Sequence, residues 1–141
     1  MTETTNAKYT IRYATEADIP VILALIHELA AYEHASDHVH ATPELLASTL
    51  SFPTSTSTST STSKVPNFTP GYARTLLISS AATTTSTSTS TDEEIAGFAV
   101  FFTNYSTWRA APGLYLEDLF IRPPYRKRGR RAGGVERAEM E

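Results

Sequence analysis

The sequence predicts a mixed α/β fold, and two observations support this prediction. The apolar and turn-forming residues give the order strand, helix, helix, then three strands, which differs from the regular strand-helix alternation of a Rossmann fold. The last strand stops at Pro123 and Pro124 and continues into a basic loop that contains a glycine. A chain of 141 residues is long enough for one domain of ordinary size.

The first strand and the first helix follow from their periodicities. Apolar and polar residues alternate over 8–14, as in a half-buried strand whose apolar residues are Tyr9, Ile11 and Tyr13. Pro20 is tolerated only in a first helical turn, so the helix begins after Asp18 as the cap rather than after Thr15. The helix is predicted to end between residues 32 and 34. Its apolar stripe has helical spacing and contains Ile22, Leu25, Ile26, Leu29 and Ala30.

A second, short helix is predicted from Thr42, which is followed by Pro43 and Glu44, to about Leu50. Residues 54–63 and 83–91 consist almost entirely of threonine and serine. Neither run can bury an apolar face, so both are predicted to be disordered insertions. Between and after them, residues 74–82 and 95–103 have the composition of strands. Gly97 lies in the second of these and allows a bend or a close approach.

The final strand is predicted at residues 114–121 and is expected to be largely buried, because it is rich in branched and aromatic side chains. Glu117 and Asp118 interrupt this apolar run. Buried carboxylates require partners, so two adjacent acids in such a strand indicate a functional site. Pairing with Arg122 is the structural alternative for Glu117.

Composition excludes several classes of protein. The formal net charge is -3, so the basic loop is a local feature on a mildly acidic chain. There is no cysteine, which excludes a disulfide framework, a thiolate metal site and a cysteine nucleophile. The sequence has no apolar run long enough to span a membrane, and residues 1–7 lack the apolar core of a signal peptide. A cytoplasmic protein is therefore expected.

Five segments together resemble the GNAT superfamily of N-acetyltransferases, and within it the diamine acetyltransferases that act on spermidine, spermine or thialysine. The segments are Ile-Arg-Tyr-Ala-Thr-Glu-Ala-Asp at 11–18, Ile-His-Glu-Leu-Ala-Ala-Tyr-Glu at 26–33, Ala-Gly-Phe-Ala at 96–99, Tyr-Ser-Thr-Trp at 105–108 and Leu-Tyr-Leu-Glu-Asp-Leu-Phe-Ile-Arg-Pro at 114–123, followed by Tyr125 and Arg126. The resemblance implies a GNAT-like mixed, mostly antiparallel sheet flanked by helices.

The resemblance also implies acetyl-CoA as co-substrate. The backbone groups of Leu119, Phe120 and Ile121 would contact its pantetheine arm and thioester. The pyrophosphate would lie on a loop of exposed backbone amides, which favour an anion. The corresponding loop residues are Arg126, Lys127, Arg128, Gly129, Arg130 and Arg131. Arg131 stands where the family has a small residue.

Residues 131–141 carry no apolar stripe where the family continues with a helix, further strands and a tyrosine general acid. We therefore expect a C-terminally truncated or frame-shifted product: a partial acetyltransferase domain at 8–130 followed by an aberrant tail.

The resemblance implies that Glu117 is catalytic, binding the substrate amine or accepting its proton through water. Tyr32, Glu33 and Asp118 would contact the same substrate, because two separated carboxylates suit a molecule with two separated cations. The alternative for Tyr32 and Glu33 is a solvated helix end. The partner is thus a small amine, and a homodimer is left open.

Three other features of the sequence could indicate a binding site. The histidines at 34, 38 and 40 match no zinc spacing, so no metal site is predicted. Trp108 is interpreted as a packing anchor. The basic run at 126–131 could instead bind a nucleic acid, but the family context favours the CoA phosphates.

Two functional hypotheses result. The first is an N-acetyltransferase that transfers acetyl from acetyl-CoA to a primary amine of a small polyamine or diamine. The second is a catalytically silent fragment that acts only through binding or self-association, since a sheet that ends at its fourth strand exposes an edge.

Overall fold

The computed structural model describes residues 9–54, 66–80 and 93–126. Both Thr/Ser runs, except Thr54, lie outside the described residues, as do residues 127–130 of the basic loop and the tail at 131–141. Within the described part, the predicted mixed α/β class is confirmed, with one four-stranded sheet and two α-helices.

The N-terminal part consists of strand β1 (Tyr9–Tyr13), a short 3-10 turn (Glu16–Asp18) and helix α1 (Ile19–Tyr32). Thr15 and Asp18 form a reciprocal capping box at the turn, in which the Thr15 amide donates to the Asp18 carboxylate at 2.7 Å. Asp18 is also the N-cap residue of α1, and Pro20 lies in the first turn, as predicted. Asp18 therefore belongs to both, but its carboxylate accepts hydrogen bonds from Thr15 and caps no amide of α1.

Helix α1 ends at a left-handed residue. The amide of His34 donates to the Ala31 carbonyl at 3.2 Å, and the amide of Ala35 donates to the Ala30 carbonyl at 2.8 Å. These two bonds define a Schellman motif, in which the residue after the C-cap adopts positive φ. His34 has a φ of 57°. The motif fixes the direction in which the chain leaves Tyr32 and Glu33.

Helix α2 (Pro43–Thr49) begins as the sequence predicts. The Thr42 hydroxyl accepts a hydrogen bond from the Leu45 amide at 3.2 Å, and Pro43 occupies the first turn. After α2 the chain pairs briefly with the start of the next strand through Leu50 and Ala73.

The sheet has the order β1-β2-β3-β4 and all neighbouring strands are antiparallel. The remaining strands are β2 (Arg74–Ser80), β3 (Glu94–Ser106) and β4 (Ala111–Ile121). A four-residue turn at 107–110 joins β3 and β4 into a long hairpin, and Ala110 in it has a φ of 50°.

Both helices contribute to one core on a single face of the sheet. At its centre Leu77, Phe98 and Phe120 lie side by side on β2, β3 and β4. Ile22 and Leu25 of α1 are fully buried against this cluster, as the apolar stripe predicts. The core therefore fixes α1 on the sheet and holds its C-terminal end near β4.

The prediction that the last strand is largely buried is wrong for the described chain. On β4, Leu114 is 73% exposed and Leu119 is 55% exposed, and only Phe120 is buried. β4 is the edge strand, and the described residues cover it only on the core side. Ile11 is 63% exposed for the related reason that its side chain lies on the sheet face away from the helices.

Gly97 confirms the predicted close approach. It pairs with Ile121, and a Cβ atom at residue 97 would lie 2.7 Å from Cδ1 and 3.0 Å from Cα of Ile121, and would also meet the Phe120 carbonyl oxygen. Real Cβ atoms do not approach backbone this closely. A glycine is therefore required for β3 and β4 to pair at this level.

Candidate active site

The C-terminal end of α1 lies near the end of β4, and side chains from the two regions approach one another at three levels. At the first, Arg122 Nε donates to both carboxylate oxygens of Glu28 at 3.1 Å. At the second, the rings of Tyr32 and Phe120 lie 6.5 Å apart between centroids. At the third are carboxylates from both elements. These side chains form a row, which we name the cleft, with an ion pair at one end and carboxylates at the other.

The acidic end arises from a β-bulge. Val100 pairs with Asp118 and Phe101 pairs with Leu116, so Glu117 is an extra residue with no counterpart on β3. A bulge of this kind interrupts the alternation of side chains. It therefore changes how the neighbouring acids are presented at the edge of the sheet.

Asp118 shows the electrostatic character of this end. Its pKa is raised, first because partial burial disfavours the charged carboxylate, and further because of the negative charges on Glu117 and Glu33. In the described part of the chain, none of the three carboxylates forms an ion pair. An arrangement of this kind attracts a cation, because a bound positive charge relieves the mutual repulsion.

The outer edge of β4, which faces away from β3, presents backbone hydrogen-bonding groups. Leu119, Phe120 and Ile121 pair with Ala99, Phe98 and Gly97 of β3 on one side. On the opposite side β4 has no partner strand within the described residues. Since the hydrogen-bonding groups of an edge strand point alternately inward and outward, this edge can pair with an extended ligand such as a pantetheine arm.

Arg126 has a different position from the one expected of a phosphate-binding residue. Its guanidinium lies over the rings of Tyr32 and Phe120, at 4.9 Å and 5.3 Å from their centroids. Its Nε also donates to the Ile121 carbonyl at 2.6 Å. The other predicted loop residues, Lys127, Arg128, Gly129, Arg130 and Arg131, lie outside the described residues.

Two interpretations of single residues are wrong. Arg122 pairs with Glu28 and not with Glu117, since it lies at the opposite end of the three levels. Trp108 is 99% exposed in the β3–β4 turn and therefore anchors no core in the described chain. His34, His38 and His40 are exposed, and no group of three metal-ligating side chains converges anywhere in the described ranges.

Sequence reasoning missed the contacts of Glu28 and the aromatic role of the Phe120 ring. Glu28 lies four residues before Tyr32, on the same helix face, and this spacing is the one signal that could have indicated it. The Phe120 ring could not be distinguished from an ordinary core residue, because its neighbours come from residues 32 and 126.

The fold resembles that of acetyltransferases of known structure. A solved aminoglycoside acetyltransferase from an uncultured soil metagenomic sample, in complex with sisomicin, has a TM-score of 0.52 and 15% identity over 86% of this chain and 60% of that chain. The same enzyme in complex with trehalose has a TM-score of 0.53 and 16% identity over 90% and 64%. At this identity the likeness shows the fold alone.

Sequence comparison identifies the class more narrowly. The chain is 34% identical over 143 residues to an L-ornithine N5-acetyltransferase of Arabidopsis thaliana, covering 84% of this chain and 60% of that protein. It is 28% identical over 121 residues to a thialysine N-epsilon-acetyltransferase of Bos taurus, covering 84% and 58%. It is also 28% identical over 152 residues to a tyramine N-feruloyltransferase of Nicotiana tabacum, covering 92% and 67%.

The chain resembles the GNAT superfamily of N-acetyltransferases, as its motifs predict, and within it the diamine type. No protein-family model matches it. It spans about 60% of the length of the first two of these relatives. Among the described helices, none is long and apolar enough to cross a membrane.

Proposed function

We propose that the chain provides the acceptor cleft and thioester-binding strand of an enzyme that transfers acetyl from acetyl-CoA to a primary amine of a small diamine or polyamine. The observation that supports this proposal is the cluster of Glu33, Glu117 and Asp118, which forms no ion pair within the described chain. It lies next to a strand edge whose backbone is available to a ligand. The cationic amine of the acceptor and the thioester of acetyl-CoA would therefore bind next to each other.

The proposed reaction is direct attack of the neutral amine nitrogen on the thioester carbonyl. A new C–N bond forms, the C–S bond breaks, and the departing CoA thiolate takes up the proton that the attacking nitrogen loses, so that CoA leaves as the thiol. Glu117 binds the ammonium form and takes its proton through a water molecule. Backbone amides of residues 119–121 polarise the carbonyl that develops negative charge.

The described residues fit acetyl-CoA at the pantetheine side, because the edge of β4 can pair with an extended amide-containing arm. The residues that would hold the pyrophosphate are Arg126, Lys127, Arg128, Gly129, Arg130 and Arg131. Only Arg126 among them is described, and its guanidinium lies over the Tyr32 ring.

The nature of the acceptor follows from the number of acids. A monoamine requires one carboxylate, whereas three that repel one another favour a ligand with two cations. The related proteins are named for ornithine, thialysine and tyramine, all of which carry an amine. We place the primary amine that reacts at Glu117 and the second cation toward Tyr32 and Glu33.

The proposal is tested by measuring acetyl transfer from acetyl-CoA to 1,4-diaminobutane, spermidine, ornithine, tyramine and butylamine. We expect the diamines to have the highest kcat/KM. Glu117→Gln should lower kcat roughly 100-fold, because it removes the proton acceptor, while Glu44→Gln on the exposed start of α2 serves as the control. Equal transfer to butylamine and 1,4-diaminobutane would exclude the diamine assignment, and no transfer to any amine would exclude the enzyme.

The exposed edge of β4 supports a second proposal, in which the chain acts without catalysis through binding or self-association. Size-exclusion chromatography combined with calorimetry against acetyl-CoA distinguishes the two. A monomer that binds acetyl-CoA supports the enzyme, and associated species that do not bind acetyl-CoA support the second proposal.

A further inference from the structure

The guanidinium of Arg126 is placed where a ligand cation would be expected. It lies over two aromatic rings at once, within the roughly 6 Å at which a cation is attracted to a ring face. The Ile121 carbonyl accepts from its Nε at 2.6 Å. Two rings and one carbonyl oxygen thus contact this positively charged group.

Arg126 differs from the other arginines of this region in its partners. Arg122 is bound by Glu28 and the Ile95 carbonyl, and Arg12 is bound by Asp18 and Glu93. Arg126 forms no ion pair within the described chain. Its contacts are therefore ones that a different cation could make equally well.

The rings have the properties of a binding wall. Phe120 is 5% exposed and is held by the core, so its position does not depend on Arg126. Tyr32 is 64% exposed at the end of α1, where the Schellman motif fixes the exit of the chain. One ring is rigid and the other is accessible from solvent, and the acidic end of the cleft lies one level further along β4.

We propose that Tyr32 and Phe120 form a subsite for an alkylammonium or guanidinium group of the acceptor, and that Arg126 occupies this subsite as an internal competitor until the acceptor displaces it. The inference rests on the proposed function, because it assumes an amine ligand in this cleft. It identifies the acceptor as a dication on a flexible alkyl chain, with one cation on the rings and the other at the carboxylates.

Competition by Arg126 predicts the direction in which the affinity for a dication changes when Arg126 is removed. Removing Arg126 leaves the rings free, so the affinity for a dication rises rather than falls. A cation over an aromatic face contributes enough free energy for an effect of about three- to tenfold. Removing the accessible ring should cancel that gain, because the second cation then has only the carboxylates.

The test is calorimetric titration of the full chain with 1,4-diaminobutane in the absence of acetyl-CoA. Arg126→Gln should bind about three- to tenfold more tightly than the unmodified chain, and Arg126→Lys should retain the weaker affinity. Adding Tyr32→Leu to Arg126→Gln should abolish the gain. Arg74→Gln is the matched control, since Arg74 lies 3.7 Å from the centroid of the Phe68 ring and outside the cleft.

Circular dichroism establishes that each variant is folded before titration. The inference is overturned if Arg126→Gln binds no more tightly than the unmodified chain, if Arg74→Gln gives the same gain, or if neither chain binds the diamine. These results are separate from turnover. If the chain transfers acetyl but Arg126→Gln binds the diamine no more tightly, the subsite is refuted and the enzyme proposal stands. If the affinities change as expected but no acetyl is transferred, the enzyme proposal is refuted and the subsite stands.

Discussion

Asp118 has a pKa that is raised by partial burial and by the charges of Glu117 and Glu33. Because its pKa in the folded state exceeds that in the unfolded chain, its contribution to stability is present at acid pH and is lost as pH rises through the folded pKa. At neutral pH the ionised carboxylate thus opposes folding. The cation proposed to bind here would offset this cost.

Asp118→Asn is therefore expected to be more stable than the unmodified chain at pH 7, and the difference should shrink as pH falls through the raised pKa of Asp118 and be absent below about pH 4. Urea unfolding at several pH values measures it. Asp18→Asn is the control of opposite sign, since the pKa of Asp18 is lowered by hydrogen bonds from Arg12. Its loss of stability should be largest at neutral pH and should also disappear in acid. A destabilised Asp118→Asn at pH 7 would contradict this account.

Gly97 permits β3 and β4 to pair at the level of Ile121. Gly97→Ala would place a Cβ atom against β4 backbone that no rotamer change can move. We expect a loss of about 1–3 kcal/mol in the free energy of unfolding, measured by urea denaturation. Ala99→Ser, on the next residue of the same face of β3, controls for the strand itself. An unchanged Gly97→Ala would show that β4 moves away without cost.

At the residue scale, the sequence was informative where one segment carried the signal. Glu117 and Asp118 stand out as acids in an apolar run, and Gly97 as a glycine in a strand. The contact of Arg126 with Tyr32 could not be predicted, because 94 residues separate the two and nothing local to either distinguishes a stacked arginine from a solvated one.

The helices and strands also divide into those that local sequence signals predict and those that they do not. Helical periodicity predicted α1 and its buried face, and the Thr-Pro-Glu start predicted α2, because these signals are local. The burial of β4 was predicted wrongly. An apolar composition shows what a strand is suited to contact, whereas its exposure depends on which elements lie against it, and β4 is covered on the core side only.

The end of α1 provides a prediction at this scale. His34 adopts a φ of 57°, which costs a residue with a Cβ atom about 1 kcal/mol relative to glycine. His34→Gly should therefore raise the stability of the chain by about that amount in urea denaturation. His38→Gly is the control, because His38 lies in a 3-10 turn and should gain nothing. An equal gain in both variants would exclude the Schellman motif as the cause.

Arg122, which follows the last residue of β4, forms hydrogen bonds to both α1 and β3. Its side chain binds both oxygens of Glu28 and donates to the Ile95 carbonyl at 2.9 Å, and its amide donates to the Ala96 carbonyl at 2.8 Å. This connection sets the register of α1 against β4, and with it the levels at which Tyr32 and Glu33 meet Phe120 and Asp118.

Removing the two partners of this ion pair should have unequal effects. Arg122→Ala loses the exposed ion pair and also leaves the Ile95 carbonyl without its donor, for a total of about 1–3 kcal/mol. Glu28→Gln loses only the ion pair, less than about 1 kcal/mol. Urea denaturation of both variants and of the double variant measures the coupling. Equal losses would show that the Ile95 contact contributes nothing.

The contact of Arg126 with Tyr32 and Phe120 also affects the choice of denaturant. Guanidinium ion has the same head group as the arginine side chain, so at low concentration it competes for the two rings before it unfolds the protein. At low concentration it would act as a ligand of the folded state. A plot of the free energy of unfolding against guanidinium concentration would then be curved, although it is expected to be linear. Urea carries no charge and cannot make this substitution.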